Sequence, residues 1–350
     1  MPLNASSRRA VGIWLLVCAA CVWLTLAVGG VTRLTHSGLS IVEWQPLVGA
    51  VPPLDAEAWR QVFLRYQETP EYRLVNAGMA LEDFKAIFWW EYAHRLLGRI
   101  DGAVFAIPLL GFWLRGAIGG PAALRLAGIF ALGAAQGALG WYMVQSGLVD
   151  DPRVSQYRLA AHLALAFALF GALLWAAFGM LAPRTAATRG DVLVRLQRAG
   201  AWLMGLVFAM AVSGAFVAGI QAGKAYNTFP LMAGHVMPPE FMMLEPWYLN
   251  FFANPAAVQF DHRLGAWLLA FLVPWFALRV HRLPVRPRAR TVALVVVGAL
   301  ALQVSLGIAT LLLAVPVALG AAHQACALLL FGSLVWLNHE LRVGEQPVPQ

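Results

Sequence analysis

Charged side chains are scarce in this chain, 12% of its 350 residues, whereas 60% are hydrophobic. A soluble domain carries about 25% charged residues, so an ordinary water-soluble fold is excluded. Cysteine is nearly absent as well. Cys18, Cys21 and Cys326 all fall in apolar segments, which leaves no disulfide framework to build. Cys18 and Cys21 have C-x-x-C spacing, but in the middle of an apolar run a cysteine acts as a small packing residue. No Lys/Arg-rich run stands on a solvated segment, so the net charge of +8 is not a nucleic-acid signal. No Arg- and Ser-rich extension precedes the first apolar run, and that run lacks a cleavage site. It reads as a retained first span in a bacterial plasma membrane.

Apolar runs of roughly bilayer length recur along the chain, whose mean hydropathy is +0.68. They predict eight transmembrane helices near 11–31, 87–114, 122–145, 157–182, 199–222, 258–280, 291–314 and 316–338. The last two runs are almost continuous. Pro316 and the combined length require a break between them. The fold class is therefore an all-α polytopic membrane protein.

Arginine sorts by loop. Arg8 and Arg9, Arg115 and Arg125, the linker 183–198, the stretch from Arg279 to Arg290, and Arg342 all fall on one side. The two long loops, 32–86 and 223–257, have mixed or little charge and fall on the other. The positive-inside rule makes both termini cytoplasmic and both long loops external.

The chain also repeats itself. Glu91-Tyr92-Ala93-His94-Arg95-Leu96 is echoed by Gln259-Phe260-Asp261-His262-Arg263-Leu264, and Ala161-His162 by Ala322-His323. Gln136 in the third span and Gln303 in the seventh form a weaker echo. Spans one to four and five to eight thus read as two units of four helices. An even number of spans gives both the same orientation. The domain limits are 1–182 for the first unit, 183–198 for a basic linker, 199–338 for the second unit and 339–350 for a cytoplasmic tail.

His94, His162, His262 and His323 each lie near the outer end of an even-numbered span, at one depth. Facing side chains in a four-helix core are where cofactor sites are built, and imidazole is a haem ligand. Two histidines per unit would place one iron between two bonds of ~2 Å each. A lone membrane histidine can be a hydrogen-bonded packing residue, but four of them matched in depth and by repeat point to metal ligation. His281 and His339 read as solvated, while His36 and His235 could line a pocket mouth. Arg95 and Arg263 follow the first histidine of each pair. Each either grips a haem propionate or snorkels to the interface, and Arg33 and Lys224 have a weaker case of the same kind. Glu91 has no acidic counterpart, because Gln259 stands in its place. It is either a proton carrier beside a cofactor or the partner of Arg95 one turn away. The segment Gly29–Pro53 is long enough to fold over the bundle mouth as a lid.

With these residues in place, the chain resembles the haem A synthases. The resemblance rests on Gly29–Pro53, Glu91–Gly98, Gln259–Gly265, His162 and His323, and it covers almost the whole chain. It implies two four-helix bundles related by pseudo-twofold symmetry. A haem b would sit on His262 and His323. Haem O would be held at His94 and His162, and its C8 methyl oxidised by successive hydroxylations to the formyl group of haem A, with Glu91 catalytic. Some members carry cysteine pairs in the outer loops; this chain has none and falls with the branch lacking them. A substrate iron with two histidine ligands has no open position for O₂, which disfavours a P450-like oxidant; the sequence itself does not reveal the oxygen source, and water is the working hypothesis. Pathway logic makes the haem O synthase upstream a partner, together with cytochrome oxidase assembly factors and the bilayer, and leaves a homo-oligomer open. The rival reading is a di-haem cytochrome b that passes quinol electrons between its haems. A haem transporter is a third, but it would need neither a second redox site nor a lone Glu91.

Overall fold

A computed structural model describes residues 5–45, 48–148, 152, 154–182 and 190–342. Residues 183–189 of the linker and 343–350 of the tail lie outside these, as do Pro46 and Leu47 of the first long loop. Among the described residues the regular structure is helical: α1 (Ala5–Leu34), α2 (Ala56–Gln67), α3 (Pro70–Leu74), α4 (Leu81–Leu114), α5 (Gly120–Gly147), α6 (Gln156–Leu181), α7 (Asp191–Gly219), α8 (Asn250–Ala253), α9 (Pro255–Arg282), α10 (Pro287–Leu312) and α11 (Val317–Glu340), with short 3₁₀ turns between. Eight of them, α1, α4–α7 and α9–α11, are long and apolar enough to cross a membrane. In hydrocarbon a helix satisfies every backbone group internally, which is why such runs adopt no other form.

The expected break between the last two spans is present, and its chemistry is local. Val315 N donates to Thr310 O (2.8 Å) and Ala314 N to Leu311 O (3.1 Å). This is the 6→1, 5→2 closure of a Schellman motif. It puts Ala314 and Val315 at φ 57° and 65°, a region that β-branched residues rarely visit. Pro316 then opens α11 from the N-cap position.

Helices α1, α6, α7 and α11 form the centre. α1 packs on α4, α6 and α11, and α6 also packs on α5, α7 and α11. α7 and α11 complete a second ring through α9 and α10. Where α6 and α11 cross, a Cβ on Gly171 would lie 2.9 Å from Phe331, and one on Gly332 would lie 2.8 Å from Phe170. Each phenylalanine therefore seats on the other helix's glycine, and small residues let the backbones close without a hydrophobic driving force.

The first long loop is folded. Asp55 and Thr69 cap α2 and α3 by accepting from Ala58 N (2.8 Å) and Tyr72 N (3.2 Å). Tyr66, Phe84 and Phe88 form a buried aromatic cluster that packs these short helices onto the start of α4.

At the opposite end one expectation is corrected. His339 is fully buried, its ring 5.7 Å from those of both Trp175 and Phe178, and is not solvated. Beside it Glu340 is buried against Arg288 (3.3 Å) and Arg286 (3.7 Å). That pairing carries α11 past the expected helix end.

Candidate functional site

The four histidines occupy equivalent surroundings. Each ring lies on a glycine of the preceding long helix. A Cβ on Gly29 would come within 2.7 Å of His94 Cε1, and one on Gly140 within 3.1 Å of His162 Cε1. The distances for Gly214 with His262 and Gly307 with His323 are 3.2 and 2.8 Å. At Gly29 and Gly307 the ring takes the space of a side chain, so a Cβ there would force a shift; at Gly140 and Gly214 the ring would have to give by a few tenths of an ångström.

In the C-terminal half the rings of His262 and His323 face each other with centroids 6.5 Å apart and planes at 75°. Two metal–nitrogen bonds of ~2 Å and two ring radii of ~1.1 Å would place axial imidazoles on one iron ~6.2 Å apart. The observed pair thus fits a single iron between them. His323 Nδ1 lies 3.1 Å from Gln303 O, and His262 Nδ1 lies 3.3 Å from Ser213 Oγ. A carbonyl acceptor on Nδ1 fixes the proton there and leaves Nε2 bare, as a ligand requires. Apart from Gln303 Nε2 at 3.4 Å, His323 Nε2 has no hydrogen-bond partner, and Gln303 Oε1 is buried with none.

The N-terminal half is built alike. His94 Nδ1 is 3.1 Å from Thr25 O, and His162 Nε2 is 3.3 Å from Gln136 Nε2. Gln136 Oε1 and His162 Nδ1 are buried without partners. Orphaned polar atoms and glycine cradles recur at both places, and imidazole donors suit haem iron.

The segment that follows α1 is fastened above the first pair. Glu91, 2% exposed, accepts from Ser40 Oγ (2.7 Å), Ile41 N (2.7 Å) and Arg95 (2.5 Å). Arg95 also donates to Ile41 O (2.8 Å) and Glu43 O (3.3 Å). In the C-terminal half Arg263 donates to Tyr226 O and Thr228 O (both 2.9 Å), and Gln259 to Tyr226 O (3.2 Å). Both arginines therefore clasp loop carbonyls, and the i,i+4 pair of Glu91 with Arg95 is formed. Arg33 reaches Ala218 O and Gly219 O (both 3.3 Å). His36 is exposed at φ 54° and His235 lies at an exposed turn, while His281 is half-buried on Ala277 O (2.9 Å).

The family described as "Cytochrome oxidase assembly protein" matches residues 12–335. The chain is 57% identical over 335 residues to "Heme A synthase" of Nitrosospira multiformis, covering 96% of this chain and 94% of that protein. It is 51% identical over 332 residues to "Heme A synthase" of Nitrosomonas eutropha, covering 95% and 93%. Identity to "Heme A synthase" of Rhodospirillum centenum is 47% over 349 residues, covering 98% and 91%. The chain belongs to the haem A synthase family.

In this haem A synthase family member the cap over the first pair holds a second buried acid, Glu71 on α3, whose Oε2 has no partner. Burial, and then the charge of Glu91, push its carboxyl up from 4.5 to about 8. A group that binds its proton more tightly when folded favours the fold at low pH, and that stability is lost as pH rises through the folded value. The window runs from the ordinary value to about 8. Cleavage of α2–α3 by an added protease should therefore rise at least ~10-fold between pH 5 and 8, a conservative figure at 1.4 kcal/mol per pKa unit. In Glu71→Gln protein the same measurement should be flat. A pH-independent wild type would contradict the assignment.

Several residues of this site were not singled out from sequence. Gly29, Gly140, Gly214, Gly307, Thr25 and Ser213 stand among 32 glycines and many small polar residues in apolar runs. One signal was present: Gln136-Gly137-Ala138-Leu139-Gly140 and Gln303-Val304-Ser305-Leu306-Gly307 share Gln-x-x-Leu-Gly. The glutamine and the glycine, one helical turn apart, both meet the histidine of the next span.

Proposed function

We propose that this chain makes haem A from haem O in a bacterial plasma membrane, with both termini cytoplasmic. The observation that carries the reading is the doubled histidine pair, each ring in its own glycine cradle. Haem O is held by His94 and His162. Its C8 methyl takes oxygen from water twice, and the geminal diol loses one water. In sum, methyl and one water give formyl, four protons and four electrons. A haem b on His262 and His323 would supply a one-electron acceptor. The two four-helix units are related by pseudo-twofold symmetry. That arrangement is supported by the matched Gly–His contacts and by the reciprocal Phe170–Gly332 and Phe331–Gly171 contacts.

Glu91 is the catalytic carboxylate. It lies one turn from His94 on the same helix, beneath the segment it pins. There it takes protons released as the methyl is oxidised, while Arg95 and Ser40 hold it in place. Arg95 and Arg263 hold the loops closed over the bundle mouths through the loop carbonyls they bind. The hydrophobic substrate arrives from the haem O synthase upstream.

Glu91→Gln keeps the shape and an acceptor oxygen but cannot take a proton. Purified variant should retain its haem B and accumulate haem O. Haem A formation should fall ~10²-fold or more, the size of a lost general base. Chromatography of extracted haems measures both. Haem A at the wild-type rate would end the proton-acceptor role, and unmodified haem side chains in active wild type would favour an electron carrier instead.

A further inference from the structure

α4 carries another acid that the proposed chemistry leaves unused. Asp101 lies seven residues beyond His94, two turns farther along the same face, about 10 Å by helical rise. An acid within a membrane span is rare and by default functional. Its Oδ2 accepts from Thr25 Oγ1 (2.8 Å), and the carbonyl of the same Thr25 lies 3.1 Å from His94 Nδ1. Its Oδ1 is buried without a hydrogen-bond partner. The nearby basic residues of α4, Arg95 and Arg99, turn away to carbonyls of Ile41 and Gln45 in the outer loop. Among the described residues, a chain of contacts therefore runs from an acid to one of the four rings and not to the other three.

The other three rings end on neutral groups: His323 on the Gln303 carbonyl, His262 on the Ser213 hydroxyl and His162 on the Gln136 amide. Counting seven residues from His262 reaches Leu269, 3% exposed, where the first half has Asp101. Four residues before Gly214 stands Met210, where Thr25 precedes Gly29. An apolar pair thus replaces the hydroxyl–carboxylate pair. Glu91 and Asp101 are absent from the same half, and that half is the one assigned to the resident haem.

We propose that Asp101 is a positioning residue which, through Thr25, lowers the reduction potential of an iron bound at His94 relative to one bound at His262 and His323. This rests on the reading of His94 as an iron ligand. An imidazole whose N–H is held by a polarised acceptor is a more basic ligand. A negative charge close to a metal in a low-dielectric interior favours its more oxidised form. The N-terminal iron is then the easier of the two to oxidise, and the equilibrium for sharing one electron lies towards the C-terminal half. That is the direction in which the electrons of methyl oxidation must leave.

The test uses full-length protein in detergent or nanodiscs, loaded with haem B and haem O, in a redox titration followed by optical and electron paramagnetic resonance spectra. Asp101→Asn should shift the electron-sharing constant about tenfold, ~59 mV for a one-electron couple, by raising the N-terminal potential alone. The ferric signature of the N-terminal iron should change with it, and Asp101→Glu should recover most of the shift. Thr25→Val, which keeps the carbonyl and the volume but loses the hydroxyl, should move the potential in the same direction. An unchanged N-terminal potential in Asp101→Asn, or in Thr25→Val should the first variant not accumulate, overturns the proposal. An equal shift at both irons overturns it too. Failure of the underlying reading looks different: His94→Ala protein would keep both haems with wild-type spectra.

Discussion

His323→Ala protein, purified intact, is expected to lose its haem B at least tenfold and to stop making haem A, while still binding haem O in its other half. The ring is placed by three independent contacts: Gln303 O on Nδ1, Gly307 beneath Cε1 and His262 opposite at 6.5 Å. None can be replaced by a neighbour, because no other histidine reaches this interior among the described residues. An iron left with one protein ligand loses roughly half of its axial bonding, and nothing in a dry helix bundle compensates. His262→Ala should give the same phenotype, since the proposed haem b takes one ligand from each ring. Haem extraction with quantitative chromatography reads the outcome. Full haem B content in either variant would remove the C-terminal site from the account.

The second large effect comes from adding a single methyl group. In Gly29→Ala the new Cβ would stand 2.7 Å from His94 Cε1, closer than real carbon contacts. The ring cannot swing aside without giving up Thr25 O, and α1 cannot retreat because Leu26 and Val22 are buried beside it. Overpacking of this kind costs about 1–3 kcal/mol. Haem O affinity should therefore drop about ten- to a hundredfold, at 1.4 kcal/mol per factor of ten. Gly307→Ala, at 2.8 Å from His323, should do the same to haem B and spare haem O. The reciprocity is the measurement: each variant should lose one haem and keep the other. Variants that lose both, or neither, would show that the cradles do not act separately.

Most of the fold was legible because hydrocarbon leaves the backbone few choices. Apolar runs gave the eight spans to within a few residues, apart from the early starts of α1, α4 and α7. Those three helices begin outside the apolar stretch, where polar residues continue the helix on tertiary support. The break before α11 was readable from Pro316, but not its mechanism, which strains Ala314 and Val315. α2 and α3 were not read, since their stability comes from Tyr66, Phe84 and Phe88 meeting across the loop rather than from a periodic stripe. His339 was misread because a histidine near a chain end looks solvated until Trp175 and Phe178 are seen around it. At the site, the histidines stood out by repetition. The glycines under them did not, because the separations between partners differ with loop length: 65 residues for Gly29–His94 and 16 for Gly307–His323. The dipeptides Phe170-Gly171 and Phe331-Gly332 carried a repeat signal of the same spacing as His162 and His323.

α1 has a double allegiance. It walls His94, yet Trp23 donates to Ala325 O (3.0 Å), Gln324 donates to Leu26 O (3.1 Å), and Arg33 reaches the end of α7. If the chain were severed between α6 and α7, the separated pieces would turn an amide, an indole and several carbonyls towards lipid tails that offer them nothing. Neither piece should survive extraction by itself, whereas co-produced pieces should find each other again. The helices before the linker and those after it thus serve as one another's solvent.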